Sequence, residues 1–164
     1  MEHIDVVRLQ LIPDERLSIE APLNSPAEVA DAWGEKIRLN SREVLTCLYV
    51  SATHKVLAIH LVSMGVVYAT LVNPAEVLKP ALLCNATGII LMHNHPSGNL
   101  VPSKDDISIT KRMEEACRIM GLDFLDHIIV GGMTRGMYSF RADGKLQDEQ
   151  SNREIAAERK RKTR

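Results

Sequence analysis

Residues 88–106 read "GIILMHNHPSGNLVPSKDD", and the reading of this stretch decides the fold. A short apolar run, 88–93, has the make-up of a buried strand and ends on a histidine. A loop rich in Asn, Pro, Ser and Gly, 94–102, then delivers the chain to Ser103, a good helix cap. Side chains two apart in a strand point the same way. His93 and His95 can therefore aim two imidazoles at one point, and neutral imidazole is a common ligand for zinc. Asp106 falls in the first turn of the following helix, where the dipole favours its charged form, and it could supply a third ligand. Two histidines and one carboxylate leave the fourth tetrahedral position for water, as in catalytic zinc sites, and zinc brings the pKa of such a water towards about 7. A plainer reading stands beside this one: Ser103-x-x-Asp106 is also a capping box that needs no metal, and His-x-His pairs occur by chance on loops. The conjunction of strand, histidine pair, turn and helix start favours the metal. The letters H-N-H also label a class of nucleases, but those residues come from separate places in a hairpin–helix unit. Here Asn94 should point to the opposite side of the chain from its neighbours.

Outward from this stretch, "KDDISITKRMEEACRIMG" (104–121) reads as an amphipathic helix with Ile109, Met113, Ala116, Cys117 and Met120 on one face and Gly121 as its stop. Strands are expected at about 124–130 and 137–141. Before the motif, "NSPAEVADAWGEKIR" (24–38) carries Ser25 as N-cap, Pro26 at the first helical position and Glu28 to close a capping box. Two β-rich runs, 44–51 and 56–63, read as a hairpin. Both faces of each are largely apolar, so both strands should lie inside a covered sheet. A third strand is expected over 66–72, followed by a helix capped by Asn73 with Pro74 and Glu76, which Pro80 should kink or shorten. Val7, Leu9 and Leu11 alternate as an edge strand would. Residues 1–24 are expected to form an N-terminal extension, 25–142 the folded domain, and 143–164 a charged, flexible tail ending in a Lys/Arg cluster. The class is α/β, a mixed twisted sheet flanked by helices.

The 164 residues fit one domain, and 45% apolar with 25% charged residues is the balance of a soluble globular protein. Cys47, Cys84 and Cys117 are isolated among apolar neighbours, as free thiols in a reducing compartment are, so a cytoplasmic location is expected. No apolar run is long enough to cross a bilayer, and no membrane partner is expected. A net charge of −1 and only one Trp, three Tyr and two Phe leave nucleic acid weakly supported as a partner.

The segment "HNHPSGNLVPSKDD" resembles the signature of the JAMM (MPN-type) zinc metallopeptidases, and most closely their bacterial RadC-like branch. The likeness continues into "NPAEVLKPALLCNATGIIL", "LDHIIVGG" and "YSF", covering roughly 25–142. It implies an architecture similar to that of cytidine deaminase, with His93, His95 and Asp106 as ligands of Zn²⁺ and Ser103 holding the oxyanion of the tetrahedral intermediate. It implies hydrolysis of a peptide or isopeptide bond. In one respect the chain departs from the pattern. The family's general-base glutamate is expected five residues before Gly65, where His60 stands, and no Asp or Glu occurs between Val44 and Asn73. His60 is open to three readings: a core histidine, the base itself, or an extra ligand that silences the site. Glu76 is a conceivable substitute base, its simpler role being the cap with Asn73. His127 is read as a structural hydrogen-bonding residue or as support for a ligand. The alternative to a hydrolase is a catalytically silent zinc-binding module in a DNA-repair-associated or other complex. The helix-hairpin-helix segment that opens longer RadC-like chains is not found here, which weakens the DNA reading further.

Overall fold

The structure, a computed structural model, describes residues 8, 10–18, 22–65, 72–133 and 135–146. Helix α1 (Pro26–Val29), a π-helical turn (Ala30–Gly34) and helix α2 (Glu35–Arg38) form one helical stretch where a single helix to Arg38 was expected. Ser25 caps it through Oγ, which accepts the Glu28 N–H at 3.2 Å. Strands β1 (Glu43–Val50) and β2 (Val56–Gly65) form the expected hairpin. Helix α3 (Pro74–Leu83) leads to β3 (Gly88–His95), helix α4 (Lys104–Met120), β4 (Asp123–Gly131) and the short β5 (Met137–Ser139). The strand order is β2-β1-β3-β4-β5, with β3 and β4 parallel and the other pairs antiparallel. This is the mixed α/β sheet that the chain pattern implied.

Alternation along β1 builds both cores. Leu45, Cys47 and Tyr49 pack with Val77 and Ala81 of α3 and Ile109 and Met113 of α4 on one face. Val44, Leu48 and Val50 pack with Val29, Ala30 and Ile37 on the other. The hairpin departs from expectation at β2, which is an edge strand and leaves Leu61 and Met64 more than half exposed (51% and 59%). Both strands have apolar faces, but pairing order puts only β1 in the interior. Pro80 does not interrupt α3, which runs through it and ends three residues later. Asn73 caps that helix through its Oδ1, which accepts the Ala75 N–H, while Glu76 pairs with Lys79 at 2.7 Å instead of completing a box. Of the strand expected over 66–72 and the tail expected over 143–164, residues 66–71 and 147–164 lie outside the described residues; Val72 is not in a strand, and Asp143, Gly144 and Lys145 are held in a turn by the carbonyls of Ser139, Arg141 and Phe140. Val7 and Leu9 of the expected edge strand also lie outside the described residues; Leu11 is exposed and not in a strand.

Asn94 explains why β3 carries a polar residue between its histidines. It is fully buried and faces away from them. Its Oδ1 accepts the Val44 N–H at 2.7 Å, and its amide donates to the carbonyls of Asn40 and Arg42 at 3.1 and 3.2 Å. One side chain thus fastens the entry of β1 to β3. Asn94→Ala leaves these buried backbone groups unpaired and is expected to cost about 2–3 kcal/mol, measurable by denaturant unfolding; a cost near zero would contradict this role.

Candidate metal centre

The site lies at the C-terminal end of β3 and the N-terminus of α4. That is where the open ends of parallel strands and a helix dipole meet. Strand periodicity puts His93 and His95 on one face, and helix periodicity brings Asp106 to them from the first turn of α4. The three ligand-bearing atoms all lie within 4.8 Å of one another, and all three residues are buried. The two Nε2 atoms are 3.0 Å apart; His93 Nε2 is 3.2 Å from Asp106 Oδ1 and His95 Nε2 is 3.4 Å from Asp106 Oδ2.

Proton placement tests whether this group suits a cation. His95 Nδ1 is 2.5 Å from the Asn99 carbonyl. A carbonyl brings no proton, so His95 must donate from Nδ1, and its neutral ring has a bare Nε2 facing the carboxylate. That lone pair and two carboxylate oxygens converge in a buried space, where only a positive charge balances them. Burial opposes the charge on Asp106, but the His93 and His95 rings, with the Ser103 side chain, outweigh it and hold the carboxyl well below the usual carboxylate range. His95 is pushed up by its contact with Asp106, against burial, and further by the Asn99 carbonyl and the charges of Asp106 and Glu43. The residues fit a divalent metal ion.

Ser103 and Asp106 also form the reciprocal capping box: the Ser103 Oγ accepts the Asp106 N–H at 3.1 Å and the Ser103 N–H donates to Asp106 Oδ2 at 2.7 Å. Cap and ligand readings are therefore compatible, since Oδ1 remains for other use. Behind the site, Gly132 donates to the His95 carbonyl at 3.0 Å. A Cβ there would come within 2.7 Å of the Pro96 carbonyl oxygen, so only glycine allows this approach. The buried Arg38 holds the same loop, donating to the carbonyls of Gly131 and Gly136. Of the adjacent pair on β4, His127 faces the site and its Nε2 is 2.8 Å from His93 Nδ1. Asp126 faces away, accepting from the Ser139 hydroxyl and the backbone N–H groups of His127 and Arg141. Burial, and then the neighbouring His93, hold His127 well below the ordinary imidazole pKa.

The structure does not bring His60 to this group. His60 pairs with Cys47, which pairs with Leu91, two residues before His93 and with β1 between. Strand spacing and rise put His60 roughly 12 Å from His93. Its Nδ1 lies 3.4 Å from the Tyr49 hydroxyl, which donates to the Val77 carbonyl. A β-bulge between Leu45 and Thr46 makes Ser63, not His60, the β2 residue in line with His93. The acidic residue that does approach is Glu43. Leu45 lies opposite His93, so two residues on, Glu43 and His95 share a face. The paired register ends at Leu45 and His93, and Val44 gives its N–H to the Asn94 side chain. A cleft of about 510 Å³ opens beside them, lined by Ser41, Arg42, Glu43, Gly65 and Pro96. The available signal for Glu43 was an acidic residue on the same alternating face as Leu45, Cys47 and Tyr49.

A mixed sheet with two histidines at a strand end and an aspartate at the next helix start defines an α/β protein with a buried group that could bind metal. The model of the RadC-like JAB domain matches residues 23–145, and the chain belongs to that family. It is 39% identical over 117 residues to a UPF0758 protein of Pseudomonas syringae pv. tomato and 44% identical over 117 residues to one of Azotobacter vinelandii. Each alignment covers 71% of this chain and 52% of the relative. A UPF0758 protein of Alkaliphilus oremlandii is 37% identical over 137 residues, covering 80% of this chain and 58% of its own length. The chain thus spans about half the length of the curated relatives it matches. No described helix is long and apolar enough to cross a membrane.

The raised pKa of His95 sets a pH dependence with opposite signs in two states. Without metal, the contribution of protonated His95 to stability is complete below about pH 6.5 and is lost as pH rises through the raised value. A divalent cation competes with that proton, so its stabilising effect should grow over the same window. Melting temperatures measured against pH, with chelator and with zinc, should diverge as pH rises; parallel curves would contradict the assignment.

Proposed function

We propose that the chain hydrolyses an amide bond, of a peptide or of an isopeptide between proteins, with zinc held by His93, His95 and Asp106. The observation that carries this reading is the convergence of two imidazoles on one buried carboxylate, with a second carboxylate, Glu43, beside an open cleft. Membership of the RadC-like JAB family supports the hydrolase class. Zinc bound there would supply Lewis acidity, polarising a carbonyl and bringing the ionisation of water towards neutral pH. The chain supplies the rest. Glu43 takes the proton of the attacking water and returns it to the departing amine, a general acid–base role worth about 10²–10⁴ in rate. Ser103 accepts at Oγ from the Asp106 N–H, which leaves its O–H proton to donate to the oxygen on which negative charge develops. The cleft beside Glu43 seats the substrate chain, and Arg42 at its lining favours an acidic group there. His60 takes no part in the chemistry.

Peptides are preferred to nucleic acid as substrates, since a net charge of −1 supplies no broad basic surface. The free thiols Cys47, Cys84 and Cys117 suit a reducing compartment such as the cytoplasm.

The test is hydrolysis of a quenched-fluorescence library of peptides and isopeptides by zinc-loaded protein. His93→Ala should abolish it, Glu43→Gln should lower kcat about 10²–10⁴-fold with zinc retained, and His60→Ala should leave it unchanged. No turnover by the loaded wild type, or equal damage from His60→Ala and Glu43→Gln, would overturn the scheme.

A further inference from the structure

We infer that Thr110 and His127 are positioning residues that fix the tautomer of His93, holding its proton on Nδ1 and leaving Nε2 bare. The inference rests on His93 being a metal ligand, the reading given above, for its consequence but not for its geometry. The Thr110 Oγ1 lies 2.6 Å from the Asp106 carbonyl oxygen and 2.6 Å from His127 Nδ1. His127 Nε2 lies 2.8 Å from His93 Nδ1. All these residues are buried, at 3% exposure or less.

Proton positions follow from the carbonyl outward. Two oxygens 2.6 Å apart require a proton between them, and the carbonyl has none, so the single hydroxyl proton of Thr110 is committed to Asp106. The Thr110 oxygen must then accept from His127 Nδ1–H. His127 is fully buried, has no carboxylate among its hydrogen-bond partners here, and stacks on Phe140 with ring centroids 5.1 Å apart. A ring buried in this way with no carboxylate partner is held uncharged by the cost of burying its charge, so Nε2 carries a lone pair. His93 Nδ1 must therefore donate to it, and the neutral His93 ring turns a bare Nε2 to His95 and Asp106. Asp106 thus acts twice: its carboxylate joins the ligand group, and its carbonyl sets, three hydrogen bonds away, which nitrogen of His93 can ligate.

The converse case gives the effect to be measured. Valine at 110 offers no acceptor, so a buried His127 Nδ1–H would be left unpaired. His127 then shifts its proton to Nε2 and donates to His93 Nδ1, which must be bare. The proton of His93 moves to Nε2, the atom that would bind metal.

The experiment is ¹⁵N imidazole spectroscopy of the full chain, metal-free and zinc-loaded, paired with zinc affinity from chelator competition. In metal-free wild type, His93 and His127 should both be protonated on Nδ1 and bare on Nε2. Thr110→Val should populate the opposite tautomer at both rings and weaken zinc binding about 10–100-fold, while Thr110→Ser should restore both readings. A wild-type His93 protonated on Nε2 would overturn the inference, whether or not the valine variant folds. So would a folded Thr110→Val protein with unchanged tautomers and affinity. Wild-type tautomers as stated in a protein that takes up no zinc would support the proton relay and defeat the metal reading instead.

Discussion

Electron-pair donors with no proton of their own are held together in a buried space: the His95 Nε2, the two oxygens of Asp106 and, by the same logic of hydrogen bonding, the His93 Nε2. Such a group calls for a positive charge, a proton on His95 or a metal cation, and most of the surrounding structure serves to keep it in place. The histidines sit at the end of the innermost parallel strand. Asn94 between them faces the other way and ties β1 to β3. The capping box of α4 fixes the carboxylate that meets them. Arg38 and Gly132 hold the loop that carries the far side of His95.

The end of the β1–β3 pairing connects the fold to its chemistry. The paired register of β1 and β3 ends at Leu45 and His93, and the Val44 N–H beyond it goes to the Asn94 side chain, next to Glu43. The cleft there is lined by Ser41, Arg42, Glu43, Gly65 and Pro96, the last of these next in sequence to His95. The side chain that stabilises the entry of β1 thus holds the segment 40–44 that supplies Arg42 and Glu43 to the cleft.

What was legible in the sequence was local. His93, His95 and Asp106 lie within fourteen positions, so strand and helix periodicity bring them together without any knowledge of strand order. The helix caps at Ser25, Asn73, Ser103 and Gly121 are local in the same sense. The edge position of β2 was hidden because pairing order depends on contacts distant in the chain. Glu43 escaped notice as a candidate for that reason: His95 is 52 positions away, and only the β1–β3 register puts the two on one face. Counting back from Gly65 led to His60, which is on the correct face but a row away, across β1. Thr110 looked like an ordinary helical residue until β4 placed His127 against it.

The central claim is that His93, His95 and Asp106 form one metal-binding unit, and its most direct test is the metal content of untagged protein purified without chelators, by elemental mass spectrometry. The account predicts about one zinc per wild-type chain and none in Asp106→Ala that remains folded. Wild-type protein that is metal-free and takes up no added zinc, or a folded Asp106→Ala that keeps its full complement, would contradict it.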